Sequence, residues 1–371
     1  MTAALPEEEA PPTTSLQLND DVVTEILLRL PSASVLRSHA VCRAWRAIAT
    51  RPGFLAAHAR RRPLELIIQR GPVDALALHT VPLASLDEAS RRCLHPGYRG
   101  RWSLAASCDG LLLLASRGEA CIEERLLVFN PVTRQRAVVP PPSTSRMARA
   151  CGFYLHGPSG QHRIVFLAND EGSAGLGSSA SHHVRSLEAG ETRRLGPAAA
   201  VLHMFTRTPN AFGHRGNLHW IEHPETEDAG RVVLVFDTVR ETFRRMARPP
   251  VGRRSGGWLT GCWPRRAIRG GSVDIWVMED HDGGESWTRR HRLDIIDLPP
   301  PLPDVGWASV MMVGQNAILL RRLEGHAAAL YDLTEKRVMK QLQLSRTDYL
   351  TAHVFRDSLE RHAFFDLQEQ S

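Results

Sequence analysis

The chain has 371 residues, 43% of them hydrophobic, and a formal net charge of +6, so it can bury a sizeable core and has room for one large domain, or a small one beside a large one. The positive excess gathers nowhere: residues 1–62 hold eight arginines against six acidic residues, which leaves 46 − 8 = 38 basic against 40 − 6 = 34 acidic in the rest. That dispersal argues against nucleic acid as a partner, and the longest apolar run, LLLLA at 111–115, is too short to cross a bilayer.

Residues 1–15, MTAALPEEEAPPTTS, are expected to form a disordered tail. Glu, Pro and Thr bury too little surface to offset the entropy of ordering. A secretory leader would be basic and then apolar. Six scattered cysteines (42, 93, 108, 121, 151 and 262) make no C-x-x-C pair. Both features point to a reducing setting, cytoplasmic or nuclear, with free thiols. Only two lysines occur, Lys336 and Lys340, beside 44 arginines. GC-rich coding accounts for that bias, which also leaves few sites for lysine-directed modification.

Residues 16–62 read as helical. Asn19 can cap a first helix, with Asp20 and Asp21 at its positive end. Val22, Val23, Ile26, Leu27 and Leu30 recur at steps of three and four, which predicts one apolar stripe. Pro31 ends this helix, and Ser32 or Ser34 starts a short second one through Val35 and Leu36. A third is predicted from about Val41, with Val41, Trp45 and Ile48 on one side and Cys42, Trp45 and Ala49 on the next. Cys42 has His39, Arg43 and Arg46 near it, the neighbours of an activated thiolate. Its apolar position predicts a small buried hydrophobe at a helix interface instead. Fewer than about 50 residues cannot cover so wide a stripe alone, so a partner is expected on it.

From residue 63 the pattern becomes many short strands between turn residues. A strand–turn–strand unit recurs, in VFNPVT, VFDT and LYDLTE among others. Aligning its copies on Phe129, Arg185, Phe236, Val277 and Tyr331 gives intervals of 56, 51, 41 and 54 residues. Blade-sized spacing of this kind predicts a β-propeller of about six blades, with a pair of β-sandwiches as the alternative.

Leu18, Ile26, Leu27, Leu30-Pro31, Val35-Leu36, Val41-Cys42 and Trp45-Arg46 resemble, in order and spacing, the F-box pattern L-P-x-D-x-x-x-E-I-L-x-R-L-P…L-L-R…V-C-K-x-W-R, and Asp21, Glu25 and Arg29 fit their places. The resemblance implies a three-helix module that docks on the Skp-type adaptor of a cullin–RING ubiquitin ligase. Its adaptor-binding positions would be Leu18, Asn19, Ile26, Leu27, Leu30, Pro31, Val35, Leu36, Val41, Cys42 and Trp45. Asn19 stands where the family has proline, which puts adaptor affinity in question. The segments SCDGLLLL, VFNPVTRQ and DIWVMEDHDGGESWTRRHRLDI make residues 64 to 367 similar to the F-box-associated domains of plant F-box proteins, the grass type in particular. That similarity implies a propeller-like domain that recruits a target.

Catalytic patterns are weaker. His219-Trp220-Ile221-Glu222-His223 spells H-x-x-E-H, a zinc pattern only on a helix. Flanking Gly216, Asn217 and Pro224 predict a strand instead, which sets the two histidines roughly 13 Å apart. His182-His183 follows a Gly/Ser-rich run and reads as a solvated loop. Arginine pairs at 193–194, 244–245, 253–254, 265–266, 289–290 and 321–322 read mainly as edge-strand protection.

The expectation is therefore an α+β multidomain chain: tail 1–15, F-box helices 16–62, and an all-β, propeller-like domain 63–371. It would be a receptor subunit with no catalytic residues, no cofactor, no membrane segment and an unnamed target. A ligand-binding propeller or propeller enzyme with a vestigial F-box is the alternative.

Overall fold

The structure, a computed structural model, describes residues 18–70, 75–100, 102–117, 124–140, 142, 148–169, 180–197, 211–214, 216–221, 232–247, 272–278, 287–294, 307–313, 316–322 and 326–366. The chain divides into two compact units, Met1–Arg62 and Pro63–Ser371.

Among its described residues the first unit holds four helices where three were expected: α1 (Asp20–Arg29), α2 (Ser32–Ser38), α3 (Arg43–Ala49) and α4 (Pro52–Arg61). Asn19 caps α1, its Oδ1 accepting from the Asp21 N–H at 3.2 Å. The added helix α4 starts with Pro at its first position, where the missing N–H costs nothing. The chain just past α4 closes the C-terminal end of α1. Arg62 donates to the carbonyls of Leu30 at 2.9 Å and Leu28 at 3.1 Å, and the buried His58 ring bonds Leu30 O at 3.1 Å. These are the orphan acceptors of a helix end. The third helix begins two residues later than expected. Val41 and Cys42 precede it, with Cys42 extended at φ −159°.

In the second unit every described strand pairing is antiparallel. The first sheet contains β1 (Glu65–Arg70), β2 (Ala75–Pro82) and β3 (Arg92–Arg99). The second contains β4 (Trp102–Cys108), β5 (Leu111–Arg117), β6 (Glu124–Phe129) and β7 (Arg136–Val139). The third contains β8 (Ala148–His156), β9 (Gln161–Asn169), β10 (Ala180–Ser186) and β11 (Thr192–Pro197). The fourth contains β12 (Phe212–His214), β13 (Asn217–Ile221), β14 (Val232–Asp237) and β15 (Thr242–Ala247). A two-stranded pair follows, β16 (Ser272–Met278) with β17 (Trp287–Asp294), and then β18 (Trp307–Val313), β19 (Ala317–Arg322), β20 (Ala327–Asp332) and β21 (Arg337–Gln343). The last strand, β22 (Asp348–Phe355), returns to pair with β1. Among the described residues, five sheets are thus four-stranded and one is two-stranded, against the expected count of about six.

Burial explains why the sheets stack around a ring. Leu111, Leu113 and Ala115 of β5 pack with Phe153, Ile164 and Phe166 of the third sheet. The alternate residues Leu112 and Leu114 pack with Ile67, Leu76, Leu78 and Phe355 of the first. Likewise Val165 and Leu167 of β9 face Trp220, Leu234 and Phe236 of the fourth sheet. Leu66 and Ile68 of β1 face Leu319, Ala328 and Leu330 of the last. A strand buried on both faces reads as an unbroken apolar run, which is what LLLL is. Two separate sandwiches would not give the first, second and third sheets a neighbour on both faces.

The repeat is now physical. Phe129, Arg185, Phe236 and Tyr331 all lie on the third strand of their four-stranded sheets, and Val277 lies on β16. Three of the following turns share one device. Asn130 Oδ1 accepts from the N–H groups of Val132 and Thr133 at 3.0 and 3.2 Å. Asp237 does the same for Val239 and Arg240 at 2.8 Å each, and Asp332 for Thr334 and Glu335 at 2.8 and 2.9 Å. Four residues on, Arg134, Glu241 and Lys336 take left-handed φ of 61°, 55° and 51°, so the aspartate or asparagine stabilises a turn its side chains do not favour.

Asn130 does more than turn the chain. It is fully buried, and its Nδ2 donates to the carbonyls of Ser358 and Glu360 at 3.3 Å each. Asn130→Ala leaves those acceptors and two turn N–H groups without a side-chain partner. We expect a loss of about 2 kcal/mol, read as a lower midpoint in urea unfolding.

Candidate functional site

α1 carries more apolar surface than its own unit covers. At 100° per residue, Val22, Ile26, Leu30, Val23 and Leu27 fan across roughly 140°. Val23, Leu27 and Leu28 are buried, as are Val35, Ile48, Ala49 and Phe54 on the other helices. Val22 and Ile26, four residues apart on the outer edge, remain 47% and 39% exposed. Leu18, just ahead of the helix, is 52% exposed, and Val41, in the turn leading into α3, is 63% exposed.

The sequence-derived positions therefore divide. Leu18, Asn19, Ile26, Pro31, Val41 and Cys42 are exposed, and Leu30, Leu36 and Trp45 are half-buried. Leu27 and Val35 are fully buried, so they act by holding the helices together. Val22 joins the exposed edge without having been among those positions. The signal for it was there, one helical turn before Ile26.

Cys42 departs from its expectation. It is exposed, not buried. Because helix α3 starts at Arg43, the Cys42 side chain takes the capping role that Ser or Asp usually fills, its Sγ accepting from the Trp45 N–H at 3.4 Å. Arg46 is tied back as well, its Nε donating to His39 O at 3.1 Å across the α2–α3 turn. Around the apolar edge, Glu25 is clasped by Arg61 through two bonds of 3.2 Å, and that bonding lowers its carboxyl below the usual range.

The second unit assembles buried charge networks, each joining separate strands. Asp348 on β22 accepts from Arg70 Nε at 2.7 Å and Nη2 at 3.1 Å, and from Arg91 at 2.7 Å. Arg92 bridges Glu65 and Asp357, at 2.7 Å to each. Glu241, in the turn after β14, takes Tyr154 and Arg163 at 2.5 Å each and also Arg193. Burial would raise the Glu241 carboxyl, but these donors outweigh it and lower it. Burial, then the bond to Glu241, pushes the Tyr154 phenol up, so that hydroxyl stays a donor.

Two histidine readings change or narrow. His182 and His183 lie on β10 and are buried, not in a solvated loop. His182 stacks on Phe243 with ring centroids 4.1 Å apart, and His183 pairs with Ser181 at 2.9 Å. Burial lowers His182 to about 4, so it is neutral. His219 lies on strand β13, while Glu222 and His223 fall outside the described residues. Arg193 and Arg194 on β11, Arg245 on β15, and Arg289 and Arg290 on β17 are exposed on outer strands. The pairs at 253–254 and 265–266 lie outside the described residues.

A small helical unit with an uncovered apolar edge, ahead of a ring of antiparallel sheets, defines a two-part binding protein. The chain belongs to the family of F-box proteins with an F-box associated beta propeller domain: the propeller model matches residues 93–359 and the F-box domain model residues 15–56. It is similar to the F-box protein At3g07870 of Arabidopsis thaliana, at 24% identity over 311 residues (74% of this chain, 72% of that one). It is also similar to the F-box protein CPR1 of the same plant, at 28% over 304 residues (72% and 71%).

Proposed function

We propose that this chain is the substrate-recognition subunit of an SCF-type, cullin–RING ubiquitin ligase. The helical unit docks on a Skp-type adaptor, and the propeller recruits a target protein. The chain does no chemistry itself. It raises the rate of ubiquitin transfer by holding the target beside subunits that carry it out. The observation that carries this reading is the apolar edge of Leu18, Val22, Ile26 and Val41, left open by a unit otherwise packed.

The test is co-purification of the full chain with a Skp-type adaptor and a cullin. Recovery of both is expected. Failure to recover the adaptor, or recovery indifferent to Leu30→Ala plus Trp45→Ala, would overturn the reading.

Asn19 offers a graded check. Its φ of −59° already suits proline, but proline cannot make the cap bond to Asp21. Asn19→Pro is expected to lower the helical unit's stability by about 1 kcal/mol and to raise adaptor affinity. Denaturant melts and adaptor titrations of both forms separate the two effects.

A further inference from the structure

The hairpin that joins β4 to β5 turns on Asp109 and Gly110, whose φ angles of 47° and 82° are both left-handed. Asp followed by Gly suits such a turn. This one is also held from outside. A Cβ on Gly110 would stand 2.4 Å from Ser358 Cβ, and Asn130 Nδ2 holds the Ser358 carbonyl. The turn sets Asp109 beside Cys108, the last residue of β4. The Cys108 thiol donates to Asp109 Oδ2 at 3.6 Å.

His162, on β9 of the neighbouring sheet, is 3% exposed. Its Nδ1 is engaged by Glu188 Oε1 at 3.1 Å, and its backbone N–H donates to Glu188 Oε2 at 2.9 Å. Its ring meets that of the buried His362 edge-on, at a centroid distance of 4.7 Å. Among the described residues, the His162 Nε2 is buried with no hydrogen-bond partner, a state that calls for an explanation in a native core. Ligand atoms of Cys108, Asp109 and His162 all lie within 4.8 Å of one another.

These three residues have the chemistry of a metal centre. A thiolate, an imidazole and a carboxylate form a mixed S, N, O set that suits a borderline ion such as zinc and not magnesium or calcium. Bonds of about 2.3 Å to sulfur and about 2.0 Å to oxygen hold those two donors about 3.5 Å apart around a tetrahedral ion. Cys108 Sγ and Asp109 Oδ2 already stand at 3.6 Å. A ring nitrogen of His162 has to close from at most 4.8 Å, which side-chain rotation supplies. With Nδ1 bonded to Glu188, Nε2 is the nitrogen left for an ion, as in a carboxylate–histidine–metal relay. Asp109 is exposed, so solvent reaches the site and water can fill the fourth position.

We propose that Cys108, Asp109 and His162 bind one zinc-class ion, with Glu188 orienting His162, and that the ion ties the β4–β5 hairpin of the second sheet to β9 of the third. The Cys108 thiol loses its proton to solvent as sulfur bonds the metal. The His162 ring stays neutral, its proton on Nδ1 toward Glu188. The role is independent of adaptor docking.

The test uses the tag-free full chain, stripped with chelator and then titrated with zinc or cobalt. About one equivalent of zinc per chain is expected to bind, with a rise in melting temperature. Bound cobalt should show a thiolate-to-metal charge-transfer band, which Cys108→Ser removes. His162→Gln and Asp109→Asn should each weaken uptake at least about tenfold, and Glu188→Gln about tenfold. His362→Phe, which changes a ring packed on His162 but no ligand, should leave uptake unchanged. Substoichiometric zinc with no melting shift, or cobalt bound without the charge-transfer band, would overturn the site in the wild-type chain with no variant needed. Uptake that survives Cys108→Ser combined with His162→Gln would overturn it equally.

Discussion

Changing Val22 and Ile26 together to aspartate is expected to weaken adaptor binding by at least about a hundredfold while the chain stays folded. Both side chains are only partly covered by their own unit, so covering the remainder contributes about 1 kcal/mol each. Two carboxylates trapped without partners in an apolar contact cost at least as much again. The sum reaches about 4 kcal/mol, a factor of up to roughly a thousand. Leu27→Asp is the contrasting variant. Leu27 is fully buried, so this change should unfold the helical unit. Adaptor titration alongside thermal melts distinguishes the outcomes. Unchanged affinity in the Val22/Ile26 variant would remove the apolar edge as the docking surface.

That contrast also marks where sequence reasoning stops. The 3.6-residue period identified the whole apolar arc of α1, because capping by Asn19 and the break at Pro31 are local events. Which half of the arc faces inward depends on where α3 and α4 pack, and α4 hides behind an unpromising Pro52-Gly53 start. Cys42 shows the same limit at one residue. Its spacing fits an apolar stripe, but the helix begins one residue later and turns the side chain into a cap. In the β unit, the repeat was legible because three of its copies pair an apolar third strand with an Asn- or Asp-led turn. His182 and His183 were misread because the glycines and serines before them are local, whereas the Phe243 ring that covers His182 is 61 residues away (243 − 182). The His162–His362 contact spans 200 residues (362 − 162) and left no local signal.

The charge cluster at Asp348 is equally invisible in sequence, since its partners Arg91 and Arg70 lie 257 and 278 residues away. Asp348→Ala is expected to destabilise the propeller by about 3–5 kcal/mol, because removing one partner of a buried pair strands the other. Arg91 bears most of that cost, its side chain being 12% exposed against 47% for Arg70. The lost bonds from Arg70 also tie β22, the closing strand, to β1. Acid should reproduce part of the effect. Burial would raise the Asp348 carboxyl, but the hydrogen bonds from Arg70 and Arg91 outweigh it and hold the group well below the usual carboxylate range. A carboxyl depressed in the folded state contributes fully above its unfolded pKa of about 4, and that contribution is lost as pH falls further. The stability gap between wild type and Asp348→Asn, measured by urea unfolding, should therefore be widest near neutrality. It should narrow progressively below about pH 4. A gap that stays constant from neutral to acid pH would mean that the ionised carboxylate is not what holds the closing strand.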